Sequence, residues 1–246
     1  MNKYVVIGDI HGRKIWEDIV KENKDAHKII ILGDYFDHYY HDTDVNGDII
    51  KYLYRDTRNN FLRLLKLKKN NPDQVVLLLG NHDIHYAYNF NGCSRYDQKN
   101  DKKIKKLFQD NIECFQFAYQ VENHLFTHAG VSSEWFNWSK RYLIENGLKE
   151  DLSNLADIFN IVGKNDKEEF LHSISFFRGG ELLYGGITWA DMSELTNTLD
   201  NFHQYVGHNK VKYIDKIEKE NKSITFCDVL HTPNPILKYN YLILKI

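Results

Sequence analysis

The chain has 246 residues, of which 42% are hydrophobic and 27% charged, with only three prolines; disordered, collagen-like and low-complexity classes are excluded. Its 32 basic and 34 acidic side chains leave a formal charge of −2, which argues against a partner held by bulk electrostatics, whether nucleic acid or an anionic membrane, and leaves only a local basic groove open. A chain of this length buries roughly three quarters of its unfolded surface, enough for a core without disulfide or metal staples. Cys93, Cys114 and Cys227 are odd in number and form no C-x-x-C pair, so a reducing cytosol is the expected compartment. The longest apolar runs, Ile29–Leu32 and Val75–Leu79, are too short to span a bilayer, and the N-terminal residues contain no cleavable leader pattern. A cytoplasmic protein with no membrane partner is expected.

In chain order, Tyr4–Ile7 predicts a buried strand ending in Gly8-Asp9, and Lys14–Glu22 follows with helical spacing. Lys28–Leu32 runs into Gly33-Asp34 and is followed by a helical stretch over Asp48–Lys69. Val75–Leu79 runs into Gly80-Asn81-His82, ahead of a helix over Lys99–Asn111. His124–Thr127 leads into His128-Ala129-Gly130, and residues 132–199 read as a mostly helical, cap-like insertion with loops near Gly163 and Arg178–Gly186. Tyr205-Val206 leads into Gly207-His208, and Ser223–Val229 and Tyr239–Ile246 close the chain as strands. The alternation predicts an α/β sandwich in one domain over residues 1–246, with no repeat or linker dividing it.

Five predicted strands each deliver Asp, Asn or His at the carboxyl end, where ligands bind in open α/β sheets. One such residue is explained equally well as a turn former or helix cap; five together are not. Asp9 and His11 stand two residues apart, Asp34 supplies a second carboxylate able to bridge two cations, Asn81 adds a carbonyl oxygen, and His128 and His208 add imidazoles. A mixed nitrogen and oxygen set without thiolate suits hard or borderline divalent ions. Manganese, iron, zinc or nickel would each suit it, and the donor set alone does not choose among them. Two such ions hold a bridging hydroxide and the oxygens of a phosphate ester for in-line attack. His82, next to the ligand Asn81, is expected to point toward the leaving group, with Asp37 fixing its tautomer and raising its pKa.

The blocks Gly8-Asp9-x-His11-Gly12, Gly33-Asp34-Tyr35-Phe36-Asp37, Gly80-Asn81-His82-Asp83, His128-Ala129-Gly130 and Gly207-His208 resemble those of calcineurin-like metallophosphoesterases in order and spacing. The phosphoprotein phosphatase branch is the most similar, with serine/threonine phosphatases and symmetrical dinucleoside-tetraphosphatases; the segment Ile187-Thr188-Trp189-Ala190-Asp191 supports it. The resemblance implies a β-sandwich flanked by helices, with a dinuclear site on loops at the strand ends. It assigns Asp9, His11 and Asp34 to the first metal, and Asp34, Asn81, His128 and His208 to the second. Asp37 and His82 match the pair that protonates the leaving group. One departure stands out: the branch carries a phosphate-clamping arginine after Asp37, and this chain has His38. Substrate contacts are therefore sought at His38 itself and at Arg178, whose guanidinium sits beside Gly179-Gly180 and offers a fork to phosphate. Asp83 replaces the branch's glutamate, and no second histidine stands two positions after His208.

Residues 51–70 carry seven Lys/Arg against one Asp, and residues 99–106 five Lys against one Asp. These are read first as solvated helix faces and second as a groove for nucleic acid. The expected function is a serine/threonine-phosphatase-like phosphomonoesterase acting on a phosphoprotein, nucleotide or small phosphate ester. The alternatives are a nucleotide pyrophosphohydrolase, a nucleic-acid or cyclic-nucleotide phosphodiesterase and, remotely, a non-catalytic metal-binding docking module.

Overall fold

The computed structural model describes residues 1–44, 46–90, 93–165 and 170–246. Strands β1 (Lys3–Ile7), β2 (Lys28–Ile31), β3 (Val75–Leu78) and β4 (Phe115–Gln116) run parallel. With the antiparallel β10 (Leu242–Lys245) they form one sheet in the order β10-β1-β2-β3-β4. The second sheet has the order β5-β6-β7-β9-β8, from β5 (Ala118–Val121), β6 (His124–Thr127), β7 (His203–Lys210), β8 (Asp215–Lys219) and β9 (Lys222–Asp228). Its central strands β6, β7 and β9 are parallel and its outer pairs antiparallel.

The period of two along each strand explains the layering. Tyr4, Val6, Ile30, Leu32, Val76 and Leu78 point from the first sheet onto Phe126, Tyr205 and Cys227 of the second. The alternate residues Val5, Ile7, Ile29, Ile31, Val75 and Leu77 face the helical layer. There α1 (Trp16–Glu22) buries Trp16 and Ile19, and α2 (Tyr54–Asn70) buries Phe61, Leu64 and Leu65 at helical spacing. Val206, Ile224 and Phe226 on the outer face of the second sheet are covered by Ala190 and Leu195. Strands buried on both faces read as unbroken apolar runs, which is why β1 to β3 stand out in the sequence.

Several elements differ from the sequence expectation. The helix expected from Asp48 begins at Tyr54. A helix, α3 (Asn81–Tyr88), starts on the third motif itself, ahead of α4 (Asp101–Gln109). In the 132–199 segment, α5 (Ser133–Glu145) and α6 (Leu155–Gly163) form, and their Trp135, Phe136, Leu143, Leu155 and Phe159 join the main core. Beyond Gly163 the described residues up to 199 hold two short 3₁₀ turns, at Phe176–Arg178 and Met192–Thr196, and single β-bridges at Ser175–Leu182 and Ser132–Thr198, so this part of the segment is less helical than expected. Among the described residues no helix is long and apolar enough to cross a membrane.

Candidate active site

The ends of β1, β2 and β3 meet those of β6 and β7, and each contributes one motif loop. The first two loops are laced by backbone hydrogen bonds, from Ile10 N to Gly33 O (3.2 Å), His11 N to Asp34 O (2.6 Å) and Gly12 N to Tyr35 O (3.0 Å). Asp83 ties the second loop to the third: its carboxylate accepts from the backbone nitrogens of Asp34 (2.6 Å), Tyr35 (3.0 Å) and Gly80 (2.9 Å). The acid at the third position of α3 thus caps the helix and pins the neighbouring motif at once. His208 lies where the β7–β9 register shifts between Val206 and Lys210, and such an irregularity re-aims a side chain. His11, Asp34, Asp37 and His208 all hold left-handed backbone, with φ between 42° and 59°. Strain of this kind persists where surrounding structure enforces it, as functional sites do.

The six sequence-assigned ligands come together. His11 Nε2 lies 3.5 Å from Asp34 Oδ2 and 4.0 Å from Asp9 Oδ2, and His128 Nε2 lies 3.6 Å from Asp34 Oδ2. Asn81 Oδ1 is 3.0 Å from both His128 Nε2 and His208 Nδ1. The Nδ1 atoms of His11 and His128 face the carbonyls of Phe36 (2.7 Å) and Leu32 (2.8 Å), which assigns the proton to Nδ1 and turns each Nε2 lone pair inward. His128 Nε2 and Asn81 Oδ1 then confront each other as two acceptors, an arrangement a shared cation resolves. Nε2 of His11 and Nε2 of His208 are buried without a hydrogen-bond partner among the described residues. A Cβ on Gly80 or Gly207 would overlap the carboxylates of Asp34 and Asp9 respectively, so both glycines are needed for the close approach. The donor set fits divalent cations.

The electrostatics agree. Burial holds His11 and His208 well below the ordinary imidazole range, and holds His128 at about 3; neutral rings are what metal ligation requires. Burial, then the Asp228 charge, pushes Asp9 up, and burial, then Asp9, pushes Asp34 up. The Arg13 charge offsets only part of the shift at Asp9.

Asp37 and His82 form the expected pair, with Nδ1 of His82 2.9 Å from Asp37 Oδ2. The phenol of Tyr86 donates to the other oxygen of Asp37 (2.6 Å) and the Cys93 thiol lies 3.6 Å from Oδ2. Asp37 pulls the His82 pKa upward as expected, but burial pulls harder and the net shift is downward. The Cys93 thiol is itself pushed up by burial, so it is a protonated neighbour with no nucleophilic character.

The two sequence-assigned substrate contacts sit differently. Arg178 pairs with Asp191 (2.8 Å) and donates to Asn209 Oδ1, close enough to the centre to depress His128 and His208. His38 packs on Tyr52, ring centroids 4.6 Å apart, and lines a cleft with Asp37 and Arg95. Four residues carry no motif signal yet belong to the site. Arg13 is buried, donates to the Asp9 carbonyl (3.2 Å) and pairs with Asp42 (2.8 Å). Asp228 is buried beside Asp9. Arg95 reaches His82, and Tyr39 lies edge-on to His11 at 4.8 Å. A weak sequence signal existed for Asp228, the polar end of an otherwise apolar strand.

Comparison with known proteins is consistent with this geometry. The family model described as calcineurin-like phosphoesterase matches residues 3–235. A symmetrical bis(5'-nucleosyl)-tetraphosphatase of Glaesserella parasuis is 25% identical over 140 residues, 53% of this chain. That stretch covers 45% of the relative, so the chain matches less than half of its length. A cold-active protein-tyrosine phosphatase of a Shewanella species shares the fold with a TM-score of 0.54 and 18% identity over 100% of this chain and 76% of its own. A protein serine/threonine phosphatase from Saccharomyces cerevisiae does so with a TM-score of 0.50 and 15% identity, over 99% and 79%. With the family model spanning nearly every residue from β1 to the segment before β10, the chain belongs to the calcineurin-like phosphoesterase family.

Proposed function

We propose that the protein is a cytoplasmic, dinuclear metal-dependent phosphomonoesterase of serine/threonine-phosphatase type. Asp9, His11 and Asp34 hold one cation, and Asp34, Asn81, His128 and His208 hold the other; manganese is the expected metal. The observation that carries this reading is the convergence of His11 Nε2, His128 Nε2 and the Asp9 carboxylate on Asp34, with Nε2 of His11 buried without a hydrogen-bond partner among the described residues. The cations, when bound, supply an acidified water and offset the charge of the phosphoryl oxygens. The chain's own residues position and protonate. Backbone carbonyls of Phe36 and Leu32 lock two imidazoles in the ligating tautomer. Asp37, fixed by Tyr86, holds Nδ1 of His82 and leaves Nε2, which Arg95 also reaches, as the atom that hands a proton to the departing oxygen once the ring is protonated.

The test is hydrolysis of para-nitrophenyl phosphate against bis-para-nitrophenyl phosphate with manganese, for the wild type, Asp34→Asn and His82→Ala. Monoester turnover lost in both variants supports the reading, and a diester preference overturns it. A second reading, nucleotide pyrophosphohydrolase, draws on the likeness to the tetraphosphatase and on two cations, Arg95 and Lys210, over the Tyr39 ring. Diadenosine tetraphosphate in the same assay separates the two. The basic runs give little support to a nucleic-acid groove: Arg63 pairs with Glu17, Lys68 donates to backbone carbonyls, and Lys105 and Lys106 pair along α4.

A further inference from the structure

The second motif loop lacks the arginine of the branch it resembles, and His38 and Tyr39 follow Asp37 instead. We propose that Arg95, between α3 and α4, is the residue that grips the phosphoryl oxygens, carried over the metal site on the ring of Tyr39; this rests on the phosphoester-hydrolase reading above. The Arg95 guanidinium carbon lies 3.7 Å from the Tyr39 ring centroid, and Nη2 lies 3.3 Å from His82 Nε2. The cation is therefore at the atom that faces the departing oxygen. Tyr39 itself abuts the ligand His11, so the platform and the metal ligands share a wall.

The other arginines at the site are committed elsewhere. Arg13 is closed by Asp42, and Arg178 is paired with Asp191. Arg95 meets no described carboxylate: it touches the Ser94 hydroxyl (3.3 Å), His82 and Tyr39, and its buried Nε has no partner among the described residues. A guanidinium held by a π face keeps its planar fork for an incoming anion. Its charge is felt across the site, contributing to the lowered pKa values of His11, His38 and His82. Arg95 also holds φ at 63°, costly for a long side chain and a sign that the segment is fixed in that shape. Arg95 also lines a cleft of about 310 Å³ with Asp37, Thr57 and Tyr54.

The geometry also couples grip to proton donation. With the His82 Nδ1 proton facing Asp37, Nε2 accepts from Arg95. A phosphate dianion is the stronger acceptor, so its arrival draws Arg95 onto phosphoryl oxygens and frees Nε2 to take up the proton that it then passes to the leaving group, His82 being an imidazolium against Asp37 in between.

The experiment is calorimetric titration of the manganese-loaded protein with inorganic phosphate, with bound manganese and Tm measured on each variant. Arg95→Ala is expected to weaken phosphate binding about ten- to a hundredfold while manganese content and Tm stay unchanged, and Arg95→Lys to fall between. Adding His38→Arg to Arg95→Ala, which returns an arginine to the motif position, is expected to recover most of that loss. Phosphate affinity of Arg95→Ala within about twofold of wild type overturns the proposal, as does a loss that only accompanies loss of manganese or of Tm, or the absence of phosphate binding by the wild type. If the wild type binds phosphate through Arg95 and hydrolyses no phosphoester, the clamp stands and the phosphatase reading falls.

Discussion

Gly207→Ala perturbs the metal centre without removing any ligand. A Cβ at this position would overlap Asp9 Oδ1, far inside the 3.0 Å that real Cβ atoms keep, with the Asp9 Cγ at 3.3 Å and Leu32 Cβ at 3.4 Å behind it. The Asp9 carboxylate must retreat by roughly 1 Å to restore ordinary contact, and in doing so it leaves the His208 nitrogen that now donates to both its oxygens at 3.0 and 3.1 Å. Metal sites tolerate about 0.2 Å, so manganese affinity should fall about ten- to a hundredfold, the scale of disturbed supporting contacts. A tenfold loss removes about 1.4 kcal/mol of metal-linked stability, or about 3–6 °C of Tm for a chain of this size. The assay is the difference between Tm with manganese and Tm with EDTA. Overpacking lowers both by about 1–3 kcal/mol, so only the difference counts. Gly147→Ala, at φ 97° with its nearest neighbour 3.7 Å away, is the control that strains the backbone without touching a ligand. A manganese increment in Gly207→Ala equal to that of wild type and control would refute the argument that Asp9 is a ligand held in place by that close approach.

Removing the proton donor should act on turnover alone: His82→Ala is expected to lower kcat about 10²–10⁴-fold and Asp37→Asn less, with manganese content preserved; loss of metal in either would move these residues into the ligand set. His172, packed between Phe90 and Phe117 at 5.0 Å from each ring, is pushed down to about 4 by burial. Its folded pKa lies below the unfolded value of about 6.5, so the stability it contributes is complete above pH 6.5 and is lost as pH falls toward 4, about 3 kcal/mol in all. Urea unfolding of His172→Gln in EDTA should therefore flatten between pH 7.5 and 4.5 relative to wild type, and parallel curves would sink the assignment. Burial raises Asp228 to about 6. Asp228→Asn should thus stabilise the metal-free protein at pH 7.5, with the gain shrinking as pH falls toward 4 and the native carboxyl protonates; a variant less stable at pH 7.5 would show that the Asp228 charge is needed by Arg13 or Lys210.

What the sequence disclosed follows from how locally each feature is determined. The residues that converge at the site were legible because each is one residue type at one strand end, most of them beside a glycine that allows close approach, and those constraints are contiguous in the chain. α3 was missed because Gly80-Asn81-His82 was read as loop, although Asp83 at the third helical position is a capping signal. β5 and β8 were missed because they are half-buried or exposed, so no apolar run marks them. Residues 132–199 were read as mostly helical with loops near Gly163 and Arg178–Gly186; α5 and α6 bear out the first half, and past Gly163 the described residues extend the irregular stretch beyond the loops that the Gly179-Gly180 and Gly185-Gly186 pairs mark. Arg95 could be inferred only as a gap, the missing arginine after Asp37. Its placement depends on how the chain between α3 and α4 packs over Tyr39, a contact 56 residues apart, and no local pattern encodes that.

Charge balance separates the buried carboxylates of this site into two kinds. Asp83 is buried, yet three backbone nitrogens donate to it; Asp42 has Arg13, and Asp37 has Tyr86 and His82. These are held by donors of the protein itself, although burial still pushes Asp83 up to about 7, and their work is to fix loops and orient the imidazole. Among the described residues Asp9 accepts from His208 N and Asp34 from His82 N, and Asp228 feels the charges of Arg13 and Lys210 without a hydrogen bond from either. Arg13 and Lys210 offset part of this burial, yet Asp9, Asp34 and Asp228 all stay pushed up, a costly arrangement that the fold nonetheless gathers beside neutral imidazoles whose lone pairs face the same space. Protein donors could have filled that space, as they do around Asp83 a few residues away. Their absence at Asp9 and Asp34 is what divalent cations would compensate, and it places Asp228, which no motif marks, among the groups whose stability should respond to metal.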